Sequence, residues 1–250
     1  MKTIIIGDLH GCYRDTIELL KECDYSMRDR VIFLGDLIDR GPDNDKCVDL
    51  AMQLQEIQQF PSCVMGNHEE KHLFVQDYVE KHRKLPEFLK NPEDNRLKAR
   101  NQLSKRHFEF FKQMPTYLEL PEYNTICVHA GMYPGRTPEQ QLKKHLLHIQ
   151  TMRLGDDATY WASRAPDHTW KYWTNYWNGP QRVVFGHSVL TKPLHTDKLV
   201  GLDGGAVFGL TLNALVLPDN KIVTIQSKMP KTDRANMPKY LVQDDIYVFS

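Results

Sequence analysis

The sequence predicts an α/β fold, and three observations support that prediction. Short apolar runs rich in β-branched residues alternate with helical patterns in the first third of the chain, as in a β-α-β segment with a parallel sheet. A charged stretch with helical character follows. Near the C-terminal end, two further apolar runs flank a Pro-Asp-Asn turn and predict an antiparallel pair. We therefore expect a second sheet packed on the first.

The predicted strands are short and bounded by glycine or polar residues, which is typical of buried strands. They cover residues 4–6, 31–34, 63–65, 125–128, 183–185 and 198–202, followed by the antiparallel pair 210–217 and 221–226. Apolar residues at near-helical spacing predict helices over 15–23 and 43–59. A chain of 250 residues can bury a sizeable core as one domain, so we expect a single domain over 1–250 with a helical insertion around 71–114.

Composition excludes several classes of protein. Lys plus Arg (32) balances Asp plus Glu (32), so bulk charge gives no evidence of nucleic-acid binding. No apolar run approaches the roughly 20 residues of a membrane span. The apolar run at residues 4–6 is too short for a signal peptide. The five cysteines are scattered and odd in number, which argues against a disulfide framework and favours a reducing, cytoplasmic location.

Three glycine-bounded motifs each follow an apolar run and carry carboxylate, imidazole and amide groups. They are Gly7-Asp8-Leu9-His10-Gly11, Gly35-Asp36-Leu37-Ile38-Asp39-Arg40-Gly41 and Gly66-Asn67-His68-Glu69. Oxygen and nitrogen ligands of this kind suit divalent Mn, Fe or Zn, and the three motifs contain no thiolate. Metal-assisted phosphate hydrolysis is therefore the leading hypothesis.

Two more histidines, His129 and His187, follow the fourth and fifth predicted strands. In an open α/β sheet, ligand groups gather beyond the carboxyl ends of the strands. A lone Gly-Asp is more often a turn, and a lone histidine is more often a hydrogen-bonded structural residue. Independent turns have no reason to place such residues at five successive strand ends, so the joint pattern predicts one shared metal site.

These motifs resemble those of the PPP family of metallophosphoesterases, which holds serine/threonine protein phosphatases, smaller bacterial and phage enzymes, and related diadenosine polyphosphate hydrolases. The resemblance covers residues 7 to about 217. It implies a calcineurin-like two-sheet β-sandwich flanked by helices, with two divalent ions, Mn before Fe or Zn. It also implies that Asp8 and His10 hold one ion, that Asn67, His129 and His187 hold the other, and that Asp36 bridges both.

The residue types then indicate a mechanism. Two ions about 3.5–4 Å apart lower the pKa of a bridging water, so that hydroxide attacks phosphorus in line and no phosphoenzyme is needed. We expect His68 to protonate the leaving oxygen and Asp39 to fix its tautomer and keep it protonated. Arg40 offers a planar fork for two phosphate oxygens.

A second phosphate-binding arginine is expected between His129 and His187. The candidates are Arg136, Arg153, Arg164 and Arg182. Arg164 is preferred because Trp161-Ala162-Ser163-Arg164 resembles the Trp-x-x-Arg of the smaller phage-type members. All four tryptophans fall within residues 160–177. Their rings suit stacking on bases, but the helical spacing of Trp170, Trp173 and Trp177 favours a buried helix face.

One position departs from many nuclease and phosphodiesterase relatives, which carry Gly-His-x-His at the fifth strand end. Val189 stands where the second histidine would add a ligand to the first ion. We therefore expect a labile first ion and stimulation by added Mn. Asp39 favours the phosphatase branch or the asymmetric dinucleotide hydrolases, because the symmetric diadenosine tetraphosphate hydrolases tend to carry a small residue there.

Three functional hypotheses follow. The first is hydrolysis of phosphate monoesters, on phosphoserine or phosphothreonine of a phosphorylated protein and on small aryl phosphates. The second is hydrolysis of a nucleotide phosphoanhydride, in an asymmetric diadenosine tetraphosphate hydrolase or on a capped RNA end. The third is a binding module without catalysis, which the complete set of motif residues opposes.

Overall fold

The computed structural model describes residues 1–159 and 167–232, together with the backbone of 242–243. Two mixed sheets and flanking helices make up the described chain, as the sequence predicts. No helix within these residues is long and apolar enough to cross a membrane.

The first sheet has four strands in the order β12-β11-β1-β2. Its members are β1 (Thr3–Ile6), β2 (Arg30–Phe33), β11 (Thr211–Leu217) and β12 (Lys221–Gln226). β1 and β2 are parallel, whereas β11 runs antiparallel to β1 and β12 antiparallel to β11. The C-terminal strands therefore extend the sheet that begins at the N-terminus.

The second sheet has five strands in the order β3-β4-β7-β10-β9. They are β3 (Tyr117–Leu120), β4 (Thr125–Val128), β7 (Arg182–Phe185), β9 (Leu194–His195) and β10 (Leu199–Gly201). The three central strands are parallel, so their carboxyl ends lie at one edge. Two small pairs join β5 (Thr151–Met152) to β6 (Lys171–Tyr172) and β8 (Val189–Leu190) to β13 (Val242–Gln243).

Alternation along each strand builds three apolar layers. In β1, Ile5 faces the space between the sheets, where it joins Val184 of β7 and Leu215 of β11. Ile4 and Ile6 face the opposite side of the first sheet, where α1 (Tyr13–Glu22), α2 (Asn44–Gln58) and α5 (Lys105–Gln113) cover them. The outer face of the second sheet packs against α6 (Lys143–His148) and the following aromatic residues.

The stretch predicted as a helical insertion contains three α-helices and one short 3-10 helix. They are α3 (Asn67–His82), a 3-10 turn over Glu87–Leu89, α4 (Asn95–Gln102) and α5. α3 begins within the third motif, at Asn67, rather than after it. The helical segment is thus continuous with the candidate site.

Two expectations from the sequence are wrong. Residues 63–65 do not form a strand, because Cys63 makes only an isolated bridge to Phe33. The next amide that could extend this parallel pairing, that of Gly66, donates instead to Glu69 Oε2 at 3.1 Å. Residues 170–177 are not an α-helix but β6 followed by a 3-10 turn over Trp173–Asn175. The packing role holds, because Trp173 is fully buried with its ring centroid 5.0 Å from that of Phe185.

Candidate active site

The six predicted metal ligands meet at the carboxyl ends of the parallel strands. All six side chains are buried: Asp8, His10, Asp36, Asn67, His129 and His187. Residues after β1, β2, β4 and β7 supply five of them, and the first residue of α3 supplies Asn67. The topology therefore brings together residues as far apart in sequence as Asp8 and His187.

The loops that carry these side chains are conformationally strained. Ten non-glycine residues of the described chain have positive φ, and five belong to the predicted site: His10, Asp36, Asp39, Arg40 and His187. Such left-handed conformations are costly for residues with a Cβ and persist only where the surrounding structure enforces them. Their concentration here indicates that the fold holds the side chains in a functional arrangement.

Two glycines permit the close approach of backbone to carboxylate. A Cβ at Gly66 would lie 2.3 Å from Asp36 Oδ1, and a Cβ at Gly186 would lie 2.0 Å from Asp8 Oδ1. Any side chain at either position would displace a predicted ligand, so glycine is required at both.

Two clusters of potential ligand atoms share Asp36. We call His10, Asp36 and His68 the first cluster and Asp36, His129 and His187 the second cluster. Within each, one ligand atom per residue lies within 4.8 Å of the others. In the first cluster, Asp36 Oδ2 is 3.6 Å from His10 Nε2, and in the second, Asp36 Oδ1 is 3.5 Å from His129 Nε2. The two oxygens of one carboxylate thus face different clusters, as a bridging ligand requires.

Backbone carbonyls orient the imidazole rings. His10 Nδ1 lies 2.8 Å from the Ile38 carbonyl oxygen, and His129 Nδ1 lies 2.7 Å from that of Leu34. A proton on each Nδ1 satisfies these contacts and leaves the Nε2 lone pair directed at Asp36. His129 Nε2 also lies 2.9 Å from Asn67 Oδ1, which places the amide beside the second cluster.

Asp8 contacts the second cluster through the main chain. Its carboxylate accepts the His187 N–H at 3.0 and 3.1 Å. Burial and the nearby carboxylates of Asp203 and Asp36 raise the pKa of Asp8 well above its usual value. The His187 N–H orients the Asp8 carboxylate and leaves the prediction that Asp8 and His10 hold one ion as a prediction.

The charges around Asp36 lower its pKa, whereas those around Asp8 raise the pKa of Asp8. Burial alone would raise the pKa of Asp36, but the imidazoles of His129, His68 and His10 hold it well below the usual value. Burial raises the pKa of Asp203 to about 6, with Asp36 adding to the increase. Buried carboxylates and imidazole lone pairs crowded in this way form a donor set that fits divalent cations.

His68, Asp39 and Arg40 form a connected group beside the first cluster. His68 Nδ1 lies 2.5 Å from Asp39 Oδ2, and His72 Nε2 lies 2.8 Å from the other carboxylate oxygen. Arg40 donates from Nη2 to His68 Nε2 at 3.2 Å and from Nη1 to His10 Nε2. The predicted partners are therefore in direct contact.

One expectation for this group needs correction. Asp39 alone would raise the pKa of His68, yet that pKa is lowered, because burial and the Arg40 charge outweigh Asp36 and Asp39. Asp39 accordingly orients the ring through Nδ1–H, while burial and the Arg40 charge set the direction of the pKa shift. The pKa of Asp39 itself is lowered despite burial, by the hydrogen bonds from His68 and His72.

Sequence reasoning missed three buried residues at the site. Glu69 accepts the backbone N–H groups of Asp36 (3.0 Å), Leu37 (2.8 Å) and Gly66 (3.1 Å), and so ties the second motif to the third. Asp203 follows the last parallel strand, where the strand-end rule would have found it. His72 lies four residues after His68, the spacing that places two residues on one face of a helix.

Two predictions remain, one for Arg164 and one for Val189. Arg164 and the Trp161 motif lie outside the described residues. Val189 is buried in β8 with an apolar side chain, so it provides no donor near His187.

Comparison with known proteins adds to this geometry. The family model for calcineurin-like phosphoesterases matches residues 1–215. The asymmetrical bis(5'-nucleosyl)-tetraphosphatase PrpE of Oceanobacillus iheyensis is 29% identical over 92% of this chain and 94% of its own length. The PrpE of Bacillus cereus strain Q1 is 27% identical over 92% and 96%, respectively.

Solved structures share the fold. A crystal structure of an inferred diadenosine tetraphosphatase has a TM-score of 0.74 at 24% identity and covers 90% of this chain and 93% of its own. A protein serine/threonine phosphatase from Saccharomyces cerevisiae has a TM-score of 0.57 at 14% identity and covers 94% and 82%. With a family model that spans most of its length and a site built on the family's motifs, this chain belongs to the calcineurin-like metallophosphoesterases, dinuclear-metal-dependent hydrolases of phosphate esters.

Proposed function

We propose that this enzyme hydrolyses a dinucleoside tetraphosphate asymmetrically, into a nucleoside monophosphate and a nucleoside triphosphate. The observation that carries the proposal is the pair of clusters sharing Asp36 beside the connected His68, Asp39 and Arg40. The PrpE relatives, which match nine-tenths of the chain, direct the choice of substrate toward a phosphoanhydride. The phosphomonoester hypothesis preferred from sequence becomes the competing outcome.

The oxygen and nitrogen donors of these residues suit divalent metal ions. We propose that Asp8 and His10 belong to one ion, that Asn67, His129 and His187 belong to the other, and that Asp36 belongs to both. Two bound divalent ions would supply the positive charge that activates water and neutralises phosphate oxygens. We keep Mn as the proposed metal, since these oxygen and nitrogen donors accept it.

The chain's own side chains then have distinct roles. Arg40 presents two guanidinium nitrogens toward His10 and His68, so its fork can bind two oxygens of the phosphate that enters there. His68, with Nδ1 engaged by Asp39, has Nε2 as its remaining site for a proton. A proton on that Nε2 passes to the leaving phosphate oxygen, and Asp39 stabilises the imidazolium that carries it.

The test is a comparison of substrates with added Mn. The purified chain is given diadenosine tetraphosphate, a phosphoserine peptide and p-nitrophenyl phosphate, and the nucleotide products are resolved by chromatography. We expect the highest kcat/KM for diadenosine tetraphosphate, with AMP and ATP in equal amounts. Asp36→Asn serves as the inactive control.

Other outcomes would overturn the proposal in identifiable ways. Two molecules of ADP would show symmetric cleavage, and faster turnover of the phosphopeptide would restore the phosphomonoester hypothesis. Metal binding without turnover of any of the three substrates would indicate a binding module.

A further inference from the structure

A cavity of about 250 Å³ lies beside the candidate site, between α3 and the segment that follows it. Its walls come from consecutive turns of α3, from Phe88 and Leu89 of the 3-10 turn, and from Arg96 of α4. Pockets for drug-sized ligands measure about 300–1,000 Å³, so this cavity suits a single ring system rather than a whole dinucleotide.

The aromatic residues of this cavity are unusually exposed. Phe74 is 63% exposed and Phe88 is 53% exposed, and they are the two exposed phenylalanines of the described chain. Buried Val75 and Leu89 line the same cavity. Single exposed apolar residues need no explanation, but two exposed phenyl rings lining one apolar cavity offer surfaces on which a base can stack.

A cation is held at the same place. The Arg96 guanidinium lies 5.5 Å from the ring centroid of Phe88, and Asp94 fixes it through a contact of 2.9 Å from Nε to Oδ1. Its planar face is therefore presented next to the phenyl ring. Guanidinium planes and aromatic rings are both partners for stacked bases.

His72 connects the cavity to the proposed proton donor. It lines the cavity and donates from Nε2 to Asp39, which also holds His68. With the proton on Nε2, Nδ1 is an acceptor, and this buried atom has no hydrogen-bond partner among the described residues. The exocyclic amino group of a purine is a donor that would satisfy it.

The geometry along α3 sets the distance between the two features. His68, Lys71, His72 and Val75 follow the i, i+3, i+4, i+7 spacing of one helix face. At 1.5 Å per residue, the cavity residues lie about 4.5–10 Å along the axis from His68. That separation matches a ribose and one phosphate between a base in the cavity and the leaving oxygen at His68, so the leaving nucleotide is the nucleoside monophosphate.

We propose that this cavity binds the purine base of the leaving nucleotide, stacked on Phe74 and Phe88 with its amino group at His72 Nδ1. The inference rests on the proposed function and deepens it by assigning a base subsite. Lys71 is the cavity-lining residue of α3 nearest to His68 along the helix, and it has no ion pair in the part of the chain that the structure describes, so it is available to the phosphate groups.

The test uses Phe74→Ala and Phe88→Ala, which remove exposed rings and leave the buried core intact. Loss of a base–aromatic stack weakens binding by about 5- to 150-fold, so KM for diadenosine tetraphosphate should rise within that range in each variant. kcat/KM for p-nitrophenyl phosphate, which has no base, should change less than about twofold. Tyr78→Ala, on the same helix but outside the cavity lining, is the matched control. It should change neither KM for diadenosine tetraphosphate nor kcat/KM for p-nitrophenyl phosphate.

The outcomes separate this inference from the proposed function. If the wild-type enzyme cleaves diadenosine tetraphosphate and neither phenylalanine variant raises KM, the subsite is disproved and the function stands. Equal losses on both substrates would mean that the rings support the fold of the site and would also overturn the subsite. If the wild-type enzyme turns over p-nitrophenyl phosphate only, the proposed function itself fails.

Discussion

The first and second clusters share Asp36 but differ in their surroundings. In the second cluster, His129 and His187 follow adjacent parallel strands of the second sheet, and His129 Nε2 lies 3.1 Å from His187 Nδ1. In the first cluster, the Arg40 guanidinium contacts both His10 and His68. The first cluster therefore includes or contacts the groups that we propose for phosphate binding and proton transfer, Arg40 and His68.

The largest expected effect comes from the residue that the clusters share. Asp36→Asn keeps the side-chain volume but removes the charge that faces both clusters. We expect turnover to be abolished and both ions to be lost, as measured by elemental mass spectrometry on the purified chain. Full activity with normal metal content would disprove the bridging role, and Asp203→Asn tests whether a neighbouring buried carboxylate has the same effect.

The two clusters should also differ in how readily they release an ion. Val189 adds no ligand to the first ion, which leaves Asp8, His10 and the shared Asp36 to hold it, so this ion is expected to leave first. Titration with a chelator should remove about one ion per chain before the other, with activity lost in the first phase and restored by Mn. Simultaneous loss of both ions would disprove the prediction that the first cluster binds its ion more weakly than the second.

A third expectation concerns proton delivery in the first cluster alone. His68→Ala or Asp39→Asn should lower kcat on substrates with poor leaving groups by about 10²- to 10⁴-fold, as expected for loss of a general acid. p-Nitrophenyl phosphate, whose leaving group needs little protonation, should be affected much less. Equal losses on both substrates would exclude His68 from this role.

The smallest effect concerns a contact that joins the two sides of the molecule. Glu70 of α3 accepts from His148 of α6 at 2.9 Å and from Lys143 at 3.0 Å. The hydrogen bond from His148 is the main reason that the pKa of Glu70 falls to about 2, from a usual value of 4.5. A lowered folded-state pKa stabilises the fold above the unfolded value, and this contribution is lost as the pH falls from about 4.5 to about 2.

The corresponding variant is Glu70→Gln. After allowance for solvent screening we expect a loss of about 1 kcal/mol at pH 7, or a decrease in Tm of about 2–4 °C, measured by thermal unfolding. The difference from wild type should shrink as the pH approaches 2. Glu109→Gln, which removes an exposed ion pair within α5, is the control. An equal decrease in Tm there would show that the contact between α3 and α6 adds no more stability than an exposed pair.

Local sequence was sufficient for most of the strands and for the position of the site. β1, β2, β4 and β7 are apolar runs that end in glycine-rich motifs, so both the strand and the polar residues after it are encoded within a few neighbouring positions. The strand expected at 63–65 failed because its pairing with β2 ends after one bridge, where the Gly66 N–H donates to the Glu69 side chain. The helix expected over 170–177 failed because helical spacing of aromatic rings also arises in irregular segments that pack against a sheet.

The sequence by itself determined which candidate ligand and acid–base residues this protein possesses and the strand ends at which they lie, because both are properties of short contiguous motifs. Only the tertiary structure decided how they are connected: Asp8 at His187, His72 at Asp39, Glu69 at three backbone N–H groups, and a cavity beside α3. It also reversed the expected pKa shift of His68, since burial and the Arg40 charge act through space. Contacts and electrostatic fields depend on distances between residues far apart in the chain, and only the folded chain sets those distances.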